Sequence, residues 1–91
     1  MMERKIYKYP LLREPKQEIV LPSDFEPLKV ERMGEGIFLW GIVGPQTEPR
    51  LRRLSLVGTG WEHDFHGQQY IGTVFDLNGL VWHVFIEKVR G

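Results

Sequence analysis

Glycine and proline divide this chain so finely that no long helix fits between them. Ten Gly and six Pro leave Leu80–Arg90 as the longest interval free of both. Relative to Ala, a glycine inside a helix is unfavourable by about 1 kcal/mol and a proline by about 3, whereas a strand needs only about five or six residues. The intervals are rich in Val, Ile, Leu, Tyr, Phe and Trp, which suit a pleated, half-buried surface. The expected fold class is all-β, or β-rich α+β with at most one short helix.

Seven short segments read as strands, mostly antiparallel, in a small sandwich or roll: 6–10, 18–21, 28–33, 37–43, 51–57, 70–77 and 80–89. Gly34-Glu35-Gly36 supplies the permissive backbone for a hairpin between the third and fourth, and a loop is expected from Gly44-Pro45 to Glu48-Pro49. The fourth is apolar on both faces, with Phe38, Trp40 and Ile42 on one and Ile37, Leu39, Gly41 and Val43 on the other. It is expected in the middle of a sheet covered on both sides. Asn78-Gly79 marks a two-residue type I′ hairpin at the C-terminus, because both positions need positive φ. That turn pairs Leu77 with Leu80, Phe75 with Trp82, Thr73 with Val84 and Ile71 with Ile86 as a core face. Val74 and His83 then lie on the opposite, mixed face.

Ninety-one residues give one domain, 1–91, with a thin stability margin that makes a homo-oligomer a reasonable hypothesis. Twelve Lys and Arg balance twelve Asp and Glu, so the long-range field used by non-specific nucleic-acid binders and by proteins of anionic membranes is absent. There is no cysteine, hence no disulfide frame, thiolate nucleophile or Cys-based zinc site. The N-terminal residues lack an apolar signal region and the longest apolar run, 37–43, is too short to cross a bilayer. A cytoplasmic protein that needs no cofactor is expected.

The richest chemistry lies in Gly58-Thr59-Gly60-Trp61-Glu62-His63-Asp64-Phe65-His66-Gly67, preceded by the basic cluster Arg50-Leu51-Arg52-Arg53. A phosphate could meet the backbone N–H groups of Gly58, Thr59 and Gly60, the Thr59 hydroxyl and an arginine, although no helix follows as in a P-loop or dinucleotide fingerprint. Strand alternation puts Arg52 and Arg53 on opposite faces, one with Leu54 and Leu56 and the other with Leu51. An arginine beside Trp40, Trp61, Tyr70 or His83 would form a stacking pocket for a nucleotide-like ligand. The plainer reading is a tight turn, solvated arginines and core aromatics, with His83 a packed, hydrogen-bonded strand residue. A metal would need His63 and His66 to converge with Glu62 or Asp64. Ser23 and Ser55 lack a nucleophile-elbow context, and the carboxylates form no recognisable acid–base pair, so no catalytic residue is assigned.

Several stretches resemble a family of small uncharacterised phage and prophage proteins. They are Lys5-Ile6-Tyr7-Lys8-Tyr9-Pro10, Leu39-Trp40-Gly41-Ile42-Val43, Gly58-Thr59-Gly60, Tyr70-Ile71-Gly72-Thr73 and Trp82-His83-Val84-Phe85. Many relatives continue the Gly-Thr-Gly with His-Pro, where this chain has Trp61-Glu62, so His63 would have to replace that histidine. The resemblance implies a phage-encoded accessory protein of the host cytoplasm.

The leading functional expectation is a counter-defence module sequestering a nucleotide-derived immune signal. Its ligand residues would be Arg50, Arg52, Arg53, Gly58, Thr59, Gly60, Trp61, His63, Tyr70 and His83. One alternative is a protein–protein inhibitor of a host factor or a virion accessory protein using an apolar sheet face. The other is a small metal-dependent hydrolase.

Overall fold

The computed structural model describes residues 3–45 and 48–89. Gln46 and Thr47 of the expected Gly44–Pro49 loop lie outside the described residues, as do the first two and last two residues. Seven strands follow in order: β1 (Lys5–Leu11), β2 (Lys16–Pro22), β3 (Glu26–Met33), β4 (Gly36–Val43), β5 (Pro49–Gly58), β6 (Gln68–Phe75) and β7 (Val81–Glu87). The fold is all-β, and among the described residues its one helical element is a 3-10 turn at Leu77–Gly79. No helix among the described residues is long and apolar enough to cross a membrane.

The strands form two antiparallel sheets, ordered β1-β4-β3 and β2-β5-β7-β6. β3 and β6, the outer strands of their sheets, lie side by side. Arg32 on β3 donates through Nε to the Phe75 carbonyl at 3.1 Å. Gly72 on β6 approaches so closely that a Cβ there would stand 2.8 Å from Cγ2 of Val30. The sheets thus form one folded row, creased between β3 and β6, with β1 and β2 at its far ends and the short 12–15 connection bridging the mouth. The molecule is flat, with extents of 44 × 31 × 17 Å.

The inner faces make the core. Leu21, Ile37, Leu39, Leu54, Leu56, Val74, Val84 and Ile86 are each almost wholly removed from water. β4 is the middle strand of its sheet, as its composition suggests, but only one of its faces is sealed. Ile37, Leu39, Gly41 and Val43 are buried, whereas Phe38, Trp40 and Ile42 are half-buried. The expectation of cover on both sides is corrected because among the described residues no element seals that outer face. Lysine stems partly screen it instead, with Lys8 Nζ 4.6 Å from the Phe38 ring centroid and Lys29 Nζ 5.3 Å from that of Trp40.

The C-terminal hairpin turns at Asn78-Gly79, with φ of 63° and 77°. Its register differs by one residue from the expected one: Phe75 pairs with Val81, Val74 with Trp82, Thr73 with His83 and Gly72 with Val84. A bulge between Tyr70 and Gly72 shifts it again, so that Tyr70 faces Phe85 and Gln69 faces Ile86. A one-residue slip exchanges the faces of a strand. Val74 and Asp76 therefore point inward with Trp82, Val84 and Ile86, while Phe75 is 74% exposed.

Asp76 causes the first shift. Its Oδ1 accepts the Leu77 N–H at 2.8 Å, so that amide cannot close the two-residue ladder. The Asp76 N–H bonds the Leu80 carbonyl instead, also at 2.8 Å. The carboxylate also accepts a bidentate pair from Arg13 on the β1–β2 connection, Nε to Oδ2 and Nη2 to Oδ1, both 2.8 Å, and the Trp82 indole N–H at 2.8 Å. The Asp76 side chain is 1% exposed. The Arg13 hydrogen bonds, aided by the Trp82 and Leu77 N–H groups and opposed by burial, hold its carboxyl well below the ordinary 3.8.

Asp76→Ala leaves those donors without an acceptor and is expected to destabilise the fold by about 3 kcal/mol or more, measured by urea denaturation. Because the native carboxyl titrates below the unfolded one, its contribution is complete above about pH 4 and is lost as pH falls through the native value. Asp76→Asn should therefore flatten the acid limb of a stability-versus-pH curve. Gly72→Ala should cost about 1–3 kcal/mol by forcing β6 away from Val30, seen as a lowered thermal midpoint.

Candidate functional site

β5 is longer than the strand beside it, and that mismatch opens a notch. β7 pairs with β5 only from Leu54, opposite Ile86, to Gly58, opposite Trp82. Arg50–Arg53 continue beyond, held by β2 alone. The space left where β7 ends is a notch of about 360 Å³, lined by Arg50, Leu51, Arg52, Arg53, Glu87, Lys88 and Val89.

The arginines divide as alternation requires. Arg52 lies on the inner side with Leu54 and Leu56 and is 7% exposed, whereas Arg53 is on the outer side with Leu51. Arg52 Nη2 donates to the Glu87 carbonyl at 3.0 Å. Among the described residues no carboxylate pairs with it. Burial, and then the neighbouring Arg50 cation, lower its pKa, although a guanidinium remains charged at any physiological pH. Arg53 pairs loosely with Glu18 at 3.3 Å and Glu87 at 3.7 Å. Solvent screens such exposed pairs, so they hold Arg53 weakly.

Arg53, Glu87 and Lys88 also border a larger groove of about 1100 Å³ on the outer face of the four-stranded sheet. Glu14, Lys16 and Glu18 edge one side and the 63–68 segment the other, over a floor that includes Ser55. His63 Nε2 lies 2.7 Å from Gln68 Oε1, and Gln68 Nε2 donates to Ser55 Oγ at 3.2 Å. With the amide in that orientation, the His63 Nε2–H donates to Gln68 Oε1. The His63 ring packs on Phe65, centroids 4.7 Å apart, and Phe65 on Phe85 at 4.9 Å.

The remaining candidates gather elsewhere. Trp61 folds back on Gly58, where a Cβ would stand 2.6 Å from the indole, and meets Trp82 edge to face at 5.6 Å. Thr59 Oγ1 lies 2.7 Å from His83 Nε2, and His83 Nδ1 lies 3.1 Å from Thr73 Oγ1, which is 2.5 Å from the Tyr70 hydroxyl. Both imidazole nitrogens are thus engaged, as suits a hydrogen-bonded strand histidine. Gly60 lies in the exposed turn between these groups, at φ 89°. Arg52 and Gly58 are six residues apart on one strand, roughly 20 Å at about 3.4 Å per residue.

A single pocket combining the arginines with Gly58-Thr59-Gly60 is therefore corrected. The 58–61 half of the loop joins His83 and Tyr70, and the 63–68 half meets Arg53. Trp40 lies on the other sheet under Lys29, not beside an arginine. Asp64 Oδ1 accepts the His66 backbone N–H at 3.0 Å, and among the described residues no three His, Asp or Glu side chains converge as a metal site would need. The sequence reading missed Lys88, Glu87, Gln68 and Ser55. The notch had no clear signal in the sequence, because residues 80–89 read as one strand that would run past Glu87.

No curated protein and no solved structure gives a significant match to the chain. Over residues 2–91 it matches the family described as Domain of unknown function (DUF7352), and it belongs to that family.

Proposed function

We propose that this chain is a binding module that holds a phosphate-bearing, nucleotide-like ligand at the β5 notch. In keeping with its resemblance to phage proteins, its role would be to sequester a nucleotide-derived immune signal in the host cytoplasm. The observation that carries this reading is Arg52. A guanidinium buried to 7% exposure is costly without an anion, and this one has a carbonyl as its partner, with Arg50, Arg53 and Lys88 beside it and Glu87 the one acid of the notch among the described residues. A phosphate supplies a negative charge and a pair of acceptor oxygens that the guanidinium fork can meet bidentately.

Titration calorimetry with pyrophosphate, ADP-ribose and a cyclic dinucleotide tests this. Arg52→Met keeps the stem and removes the charge, and is expected to weaken binding at least tenfold while leaving circular dichroism unchanged. Thr59→Ala, at the far end of β5, should change affinity less than twofold. No heat with any of the three ligands would sink the proposal.

A protein-partner reading draws on a different observation. Phe75 is 74% exposed, Ile6 61% and Tyr70 55%. Exposed aromatic and aliphatic side chains of this kind suit an inhibitor surface.

A further inference from the structure

The notch and the groove share Arg53, Glu87 and Lys88, yet their charges are opposed. Among the described residues the notch sets four cations against one carboxylate. Beyond the shared residues, the groove sets Glu14, Glu18 and Asp64 against Lys16. A ligand that is anionic throughout would be repelled along its length by these acids, while a cation would be repelled by the notch. Charge complementarity across a site selects for orientation and identity more than for raw affinity.

We infer that the two form one dipolar site whose ligand is a nucleotide with an exocyclic amine on its base: phosphate in the notch, amine-bearing edge in the groove. This deepens the proposed function and rests on it. The groove volume of about 1100 Å³ exceeds what a mononucleotide needs, given ligand sites of roughly 300–1,000 Å³. Among the described residues the Glu14 carboxylate and Asp64 Oδ2 are acceptors left for an amine N–H, since Asp64 Oδ1 already accepts the His66 N–H. Carboxylates accept from base amines, as in the readout of cytosine N4. Leu12, 60% exposed, supplies an apolar border to the groove.

Two ligand pairs isolate the amine. Adenosine and inosine monophosphates differ at one ring substituent, as do cytidine and uridine monophosphates. With full-length protein, the amine-bearing member of each pair should bind at least tenfold tighter than its oxo counterpart, and tighter than inorganic phosphate. The double variant Glu14→Gln/Asp64→Asn, which keeps the Asp64 cap on the His66 N–H, should reduce that preference at least fivefold and leave phosphate affinity unchanged or slightly raised. Arg52→Met should weaken all of these ligands together.

If both members of each pair bind equally well, and the double variant behaves as wild type, the dipolar site is refuted while phosphate binding in the notch stands. If neither the nucleotides nor phosphate bind, the proposed function fails and this inference with it.

Discussion

The fold depends on keeping one carboxylate charged out of water. Asp76 is sealed from solvent and compensated from three directions: by Arg13 of the β1–β2 connection, the Trp82 indole and the Leu77 amide. Those partners come from the bridge across the mouth of the roll, from β7 and from the hairpin turn. One group therefore ties together the β1–β2 connection, the hairpin turn and the start of β7. Its influence on face selection is the larger effect. By taking the Leu77 amide it moves the β6–β7 ladder by one residue, which decides that Val74 is core and Phe75 is surface.

The outer face of the four-stranded sheet follows from that choice. With Thr73 and Tyr70 turned outward, the His83 imidazole finds hydroxyl partners on both sides, and the first half of the 58–67 loop is drawn toward it through Thr59. The second half is anchored differently, by aromatic packing of His63 and Phe65 on Phe85 and by the Gln68 amide on Ser55. The loop is a strap across the sheet, and its two anchors separate a hydroxyl–imidazole chain from the charged notch and groove.

Much of this was legible in residue order because it is local. Breaker spacing marked seven strands, Asn78-Gly79 marked a turn with two positive φ values, and alternation separated Arg52 from Arg53. The hairpin register was hidden because it depends on Arg13, 63 residues away from its acid. The division of the 58–67 loop was hidden for a similar reason: its anchors His83 and Phe85 belong to a strand that lies beside it only in three dimensions. The notch needed a comparison of two strand lengths, and β7 reads as longer than it is because Lys88 and Val89 keep a strand-like composition after pairing stops.

The crease between β3 and β6 leaves β1 and β2 as the ends of the folded row, and each pairs on one side only among the described residues. Those two margins carry Lys5, Lys8 and Pro10 on one and Lys16, Glu18 and Pro22 on the other. Lysines repel a like-charged copy, and proline withholds the amide that an added strand would use. Growth of the sheet by a further chain is thus discouraged at both ends. The broad faces are left as the surfaces that display exposed aromatic side chains such as Phe75 and Tyr70.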